Sequence, residues 1–228
     1  KMSVIELEDV EKVYQMGETE VRALRGSDLE IEKGEFIAVM GPSGSGKSTL
    51  MNMMGALDVP TNGLVEVADR DLSEMGPDEL ALLRNEKVGF IFQEFNLLKN
   101  MNTIQNVMLP LTIQEVPRSE RRSRASDLLE KVGLGDRLEH MPSELSGGQR
   151  QRVSIARALA NNPEIVLADE PTGNLDTETG AKIMDLLTEF NNEGKTIIMV
   201  THDPNDAEYA DRTIKIKDGV THPGEEDE

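Results

Sequence analysis

The 228-residue sequence has no cysteine and no tryptophan, and its aromatic side chains are five phenylalanines and two tyrosines. Without cysteine there are no disulfides and no thiolate metal sites, a usage that fits a cytosolic protein. No apolar run approaches the ~18 residues of a membrane-spanning helix, and the N-terminal stretch has no signal-peptide hydrophobic segment. The chain itself is expected to be soluble. Positive charge is scarce as well: 24 lysines and arginines face 43 aspartates and glutamates, for a net charge of −19. With no basic stripe to displace counterions from phosphates, the charge argues against nucleic acid as a partner. Direct adsorption to an anionic membrane surface is disfavoured for the same reason. Two readings of the acidity compete, an acidic patch for a basic partner and a surface kept soluble in high salt, where self-repulsion is screened. The spread of carboxylates along the whole chain favours the high-salt reading. Apolar residues make up 37% and glycine adds 19 positions, low for a globular chain but enough for a core. The length fits one domain with an insertion or two small domains.

What is present centres on Gly41-Pro42-Ser43-Gly44-Ser45-Gly46-Lys47-Ser48-Thr49. This stretch fits the phosphate-binding pattern G-x-x-x-x-G-K-[ST] without a gap. Phe36–Met40 before it is a short apolar run of strand type, and Thr49–Met54 after it reads as the first turns of a helix. Strand, glycine loop and helix N-terminus together make an anion site, because backbone N–H groups turn inward and the helix dipole adds partial positive charge. Lys47 is placed to reach the β- and γ-phosphates, and the Ser48 hydroxyl to bind Mg²⁺. A nucleoside triphosphate is the expected ligand.

Taken in order, Ser3–Leu7 alternates like a half-buried strand, and Val21–Ile31 holds a second such pattern. Tyr14 lies between them, where it could stack on a base or pack on the core. Residues 55–76 are turn-rich, with a short strand at Leu64–Val67; Asp78–Lys87 reads as a helix. Val88–Phe92 reads as a buried strand ending at Gln93, and a polar residue at that position marks the ligand edge of an α/β sheet. Residues 94–144 show little of strand character and read as a helical insertion with a helix over Ser119–Val132. The basic cluster Arg118, Arg121, Arg122 and Arg124 reads as a solvated helix face paired with nearby acids. Leu145-Ser146-Gly147-Gly148-Gln149 opens a helix running through Ala160, and its glycine pair is a second potential anion site. Ile165–Glu170 is a buried strand ending in Asp169 and Glu170, where unpaired charge would be costly in a core but suits Mg²⁺ and water activation beside a phosphate loop. Thr177–Asn191 is an amphipathic helix, Thr196–Val200 a core strand with His202 at its tip, and Thr213–Lys217 an alternating strand. Glu225–Glu228 reads as a frayed acidic tail.

The order of these features resembles the nucleotide-binding subunit of ATP-binding cassette (ABC) proteins over residues 3–220. The resemblance rests on an aromatic at Tyr14, the loop Gly41–Thr49, Gln93 and the signature Leu145–Gln149. It continues with Asp169-Glu170, the turn Asn174-Leu175-Asp176 and His202. Phe92–Leu98, Asn106–Leu111 and Ala168–Asp176 are similar to the group holding lipoprotein-release, macrolide-export and cell-division ATPases. It implies an α/β fold: a RecA-like P-loop NTPase core with an antiparallel β subdomain and an inserted helical subdomain. The division would be a single domain with core 1–93 and 145–228 and helices in 94–144.

The resemblance also implies two copies packed head to tail around two ATP molecules. Each ATP lies between Gly41–Thr49 of one copy and Ser146, Gly147, Gly148 and Gln149 of the other. Tyr14 would stack on adenine. Ser48 and Asp169 would hold Mg²⁺, with Gln93 as a further ligand that senses the γ-phosphate. Glu170 would be the general base, His202 would bond the γ-phosphate, and Asp176 would couple the two sites. The partners implied are ATP, a second copy and an integral membrane permease. The location implied is the cytoplasmic face of the cell membrane. An ATP-gated scaffold of the cell-division kind shares every motif and differs only in its partner. A DNA-repair or translation cassette would need tandem cassettes or long coiled coils, which the sequence lacks.

Overall fold

The computed structural model describes residues 2–223, so the acidic tail at 225–228 lies outside the described residues. The chain opens with a long hairpin, β1 (Ser3–Met16) and β2 (Thr19–Glu32), followed by β3 (Phe36–Met40) and helix α1 (Lys47–Met54). Next come β4 (Asn62–Val67), β5 (Arg70–Asp71), α2 (Pro77–Lys87) and β6 (Val88–Phe92). Helices α3 (Thr103–Ile113), α4 (Arg118–Lys131) and α5 (Gly147–Leu159) fill the middle of the chain. The last part is β7 (Ile165–Asp169), α6 (Thr177–Asn192), β8 (Thr196–Val200), α7 (Pro204–Ala207), β9 (Arg212–Lys217) and β10 (Val220–Pro223).

Two sheets form. Strands β2-β1-β4-β5 make an antiparallel sheet, and β10-β9-β3-β8-β7-β6 a second sheet, parallel except for β10. Alternation along the parallel strands divides the apolar side chains between two cores. Ile37, Val39, Leu167, Ile198 and Val200 face one core, shared with the antiparallel sheet and with Leu50, Met53 and Met54 of α1. Phe36, Ala38, Val166, Ile197 and Met199 face the other, with Val153 and Ile155 of α5 and Ile183 and Leu187 of α6. Ile104, Val107, Ala125 and Leu129 of α3 and α4 belong to that second core too. The middle helices therefore share apolar packing with the sheet.

Local chemistry sets the helix starts. Asn102, Ser146 and Asp176 each cap a helix, their side-chain oxygens accepting from the N–H three residues on, at Gln105, Gln149 and Thr179. The buried Asn106 pins residues 98–102 onto α3, accepting from the Leu98 N–H and donating to the Leu98, Met101 and Asn102 carbonyls. Strand β1 runs nine residues past the alternation visible at Ser3–Leu7. A bulge explains this: Asp9 turns left-handed (φ 46°), its N–H bonds Asp28 at 2.8 Å, and pairing resumes at Val10 on a shifted register. Tyr14 thus lies within a strand. On α4, Arg122 and Arg124 pair with Glu139 and Glu120, while Arg121 donates to the Thr112 hydroxyl instead.

Acidic crowding reaches into the antiparallel sheet, where Glu6 stands directly opposite Glu30 on one side and Glu66 on the other. Partial burial, then the negative neighbours Glu8, Glu30 and Glu66, push the Glu6 carboxyl above its usual range. Like charges directly opposite across strands destabilise a sheet, and salt screens them. Replacing Glu6 by lysine is expected to raise the thermal midpoint by about 1–4 °C at low ionic strength. The gain should shrink in molar salt. A calorimetric scan showing the same gain at both salt levels would count against repulsion as the cause.

Candidate functional site

Strand register places the site. Phe92 pairs with Asp169, Asp169 with Val200, and Val39 with Val200, so four parallel strands end on one line. Gln93, Glu170, His202 and the loop from Gly41 follow within two residues of that line. The backbone continues it: Glu170 N donates to Val200 O at 2.9 Å, and Thr201 N to Val39 O at 3.2 Å. Ligand sites of open α/β sheets form outside such carboxyl ends.

The loop 41–49 has the geometry of an anion cradle. Gly46 adopts φ 107°, and a Cβ there would meet the Ala23 carbonyl at 2.6 Å. At Gly41 a Cβ would meet the Ile216 carbonyl at 2.2 Å. Both positions demand glycine. Lys47 opens α1, its ammonium donating to the Gly41 and Pro42 carbonyls at 2.7 and 2.9 Å. Ser45 Oγ is buried and makes no hydrogen bond with the described protein atoms.

Opposite the loop stands the acidic pair. Burial, then the neighbouring Glu170, raises the Asp169 carboxyl above its usual range, and the Lys47 ammonium opposes them. Glu170 itself adopts φ 45°, a left-handed conformation uncommon for a residue with a side chain and typical of functional positions. His202 Nδ1 lies 2.8 Å from Glu170 Oε1, with the imidazole 74% and the carboxylate 17% exposed. That contact is the main cause raising the imidazole above 6.5. Gln93 is braced from the next turn: Asn174 Nδ2 donates to its carbonyl at 2.9 Å, and its amide lies against Gly173, where a Cβ would come within 2.6 Å.

Ser146, Gly147, Gly148 and Gln149 lie elsewhere. They start α5, which packs in the second core, whereas α1 behind the loop packs in the first. Gly148 sits against Thr179 of α6, where a Cβ would approach Cγ2 to 2.4 Å. Ser146 Oγ accepts from Gln149 N at 3.3 Å and Gln149 Oε1 from Ser146 N at 2.9 Å, a closed capping box. The helices that the two glycine sequences open therefore pack on different cores. Tyr14, by contrast, stands on the loop's side, its hydroxyl donating to Asp58 Oδ2 at 2.9 Å.

Several supporting residues carry no motif in the sequence. Arg157 of α5 donates to the Phe95 and Asn96 carbonyls at 3.0 and 2.6 Å, fixing two left-handed residues just after Gln93. Thr172 hydrogen-bonds the buried Asp206, tying the turn after Glu170 to the segment after His202. The available signal for Arg157 is its two-turn spacing on one face of α5 from Arg150, whose guanidinium lies 5.1 Å over the Phe95 ring.

Fold and strand-end geometry define a P-loop nucleotide-binding protein. Comparison with known proteins narrows this. The family profile described as ABC transporter matches residues 24–173. An ABC transporter ATP-binding protein of Thermotoga maritima is 51% identical over 216 residues, covering 95% of this chain and 92% of the relative. A macrolide export ATP-binding/permease protein, MacB of Hyphomonas neptunium, is 52% identical over 216 residues, and the chain spans 34% of its length. Among solved structures, the ATP-binding cassette MJ0796, described as a post-hydrolysis dimer bound to ADP and Pi, matches with TM-score 0.87 and 46% identity. That match covers 96% of this chain and 98% of the cassette. The chain belongs to the ABC transporter ATP-binding family. It is an ATPase cassette of that family, with the α/β architecture expected from its sequence.

The Glu170 contact has a titration consequence. Because the folded chain favours the imidazolium, the pair's stabilising effect is full below 6.5 and is lost as pH rises through the raised value. Titrating His202 by NMR should give a value above 6.5 in the native chain and a return towards 6.5 in Glu170→Gln. No change between the two proteins would show that the contact is absent in solution.

Proposed function

We propose that this chain is the ATP-hydrolysing subunit of a transporter of the export or mechanotransmission kind, working as a dimer that drives a separate membrane permease. The carrying observation is that α1, which follows the phosphate loop, packs in one core and α5, which the signature opens, packs in the other. In this reading the signature of a second copy completes the cage around each nucleotide. Each nucleotide then lies between Gly41–Thr49 of one copy and Ser146–Gln149 of its partner.

The donor set beside the loop fits Mg²⁺. Ser48, Asp169 and Gln93 offer hard oxygen donors, one of them a carboxylate. Among the described residues no group of three His, Cys, Asp or Glu forms a closed cage. Mg²⁺ is commonly held by one or two carboxylates together with substrate phosphates. When bound, the ion supplies charge neutralisation at the phosphate oxygens. Lys47 adds positive charge, and the loop N–H groups and the α1 N-terminus orient the phosphates.

Glu170 polarises the water that attacks the γ-phosphorus. The new P–O bond forms as the bond to the bridging oxygen breaks, giving ADP and phosphate, and the water's proton passes towards Glu170. His202 holds the Glu170 carboxylate at 2.8 Å and bonds the γ-phosphate. Asp176, the cap of α6, links the two sites across the dimer. Phosphoryl transfer needs chiefly positioning and charge neutralisation, which these groups supply.

Among the described residues no helix is long and apolar enough to cross a membrane. In this reading the membrane link runs through the permease. Residues 94–144 carry that link, moving against the permease as the dimer closes and opens. A groove of about 510 Å³ between α2, β6, α3 and α5 supports this reading, lined by Arg84, Phe92, Leu109, Ile113 and Arg157. Ile113 in its lining is exposed, as is Leu98, two residues after the lining residue Asn96.

Glu170→Gln is expected to keep ATP binding and to lower turnover by about 10²-fold or more in a phosphate-release assay. Near-normal turnover would remove Glu170 from the base role. Lys47→Ala should weaken ATP binding by about tenfold or more, since it removes a charge-assisted contact. Exchanging Leu98 and Ile113 for glutamate should leave basal ATPase activity intact while abolishing co-purification with a membrane protein. Retained co-purification would move the contact elsewhere.

A further inference from the structure

Tyr14 belongs to a network that the reaction does not account for. Its hydroxyl donates to Asp58 Oδ2 at 2.9 Å. The other carboxylate oxygen accepts from Lys12 Nζ at 2.6 Å and from Val59 N at 2.8 Å. Lys12 also donates to the Val59 carbonyl at 2.7 Å, and its ammonium lies 5.1 Å over the Tyr14 ring. Thr49, in the first turn of α1, stands near the same phenol. The network therefore joins the far half of β1 to Asp58, just beyond the C-terminus of α1.

The charges are held in place. Burial would raise the Asp58 carboxyl, but the hydrogen bonds from Lys12 and Tyr14 outweigh it and keep the group below its ordinary value. Burial, then the bond to Asp58, raises the Tyr14 phenol above its ordinary value, so it remains a donor. Lys12 keeps only 12% of its side chain exposed and Asp58 29%. A bare pair on a solvated surface would order a tyrosine weakly. Here the same carboxylate bridges ammonium, phenol and backbone N–H.

We propose that Asp58 is a positioning residue for nucleotide binding: it fixes the Tyr14 hydroxyl while Lys12 covers one ring face, so that the opposite face is presented to the base at a set distance from the phosphate loop. This rests on the reading of Tyr14 as the adenine-stacking residue. A free tyrosine side chain would have to be ordered on binding, and pre-organisation removes that cost. The bond from phenol to carboxylate also leaves the ring more electron-rich, which favours the Lys12 contact.

A double-mutant cycle on the full chain tests this, with ATP binding followed by calorimetry and turnover by phosphate release. Tyr14→Phe, which keeps the ring, and Asp58→Ala should each weaken ATP binding and raise KM by about 3- to 10-fold, with kcat unchanged. The double variant should be no worse than either single one, because both remove the same bond. Asp58→Asn keeps an acceptor for the phenol and should recover part of the loss. Additive losses, or an Asp58→Ala effect that Tyr14→Phe does not share, would overturn the positioning role. Tyr14→Phe removes no buried volume, so it decides the matter even if Asp58→Ala fails to fold. Tyr14→Ala separates the two ideas. If it leaves ATP affinity untouched, base stacking itself is wrong. If it weakens binding while Tyr14→Phe does not, stacking stands and the Asp58 anchor falls.

Discussion

The site depends on one constraint, the parallel register that ends β6, β7, β8 and β3 on a common line. Hydrogen bonding across four strands fixes the relative height of Phe92, Asp169, Val200 and Val39 before any functional side chain is considered. An amide, two carboxylates, an imidazole and a glycine loop then converge because each follows its strand end by one or two residues. Burial of the strands on both faces makes that register costly to shift, since a slip of one residue would exchange the two cores. Precision at the site is borrowed from apolar packing beneath it.

The same sheet also separates what must meet. Alternation along the strands assigns α1, behind the phosphate loop, to one core and α5, opened by the signature, to the other. The turn 173–176 lies between these worlds: Gly173 and Asn174 brace Gln93, Leu175 approaches Gly147, and Asp176 caps α6.

Much of this was legible in the sequence, because the apolar runs of β6, β7 and β8 end in polar residues and the loop after β3 fits a phosphate-binding pattern. Gln93, Asp169, Glu170 and His202 could be named from the first signal and the loop 41–49 from the second. The second half of β1 could not, because the bulge at Asp9 interrupts the period-two alternation on which strand reading relies. Strand β10 and the two-residue β5 were too short to show a period. The supporting contacts were hidden for a different reason. Tyr14 and Asp58 are 44 positions apart, Gln93 and Asn174 81, and Thr172 and Asp206 34, and each bond exists only because the fold brings distant backbone together.

The central claim is that one catalytic site takes its phosphate loop and its signature from different copies. Two disabled chains test it most directly, one carrying Lys47→Ala in the loop and the other Ser146→Arg in the signature. Mixed, they form dimers in which one site has an intact loop from one copy and an intact signature from the other. Mixing is expected to restore ATPase activity that neither chain shows alone. Activity no greater than the sum of the two separate chains would contradict it, and would place a complete site within a single copy.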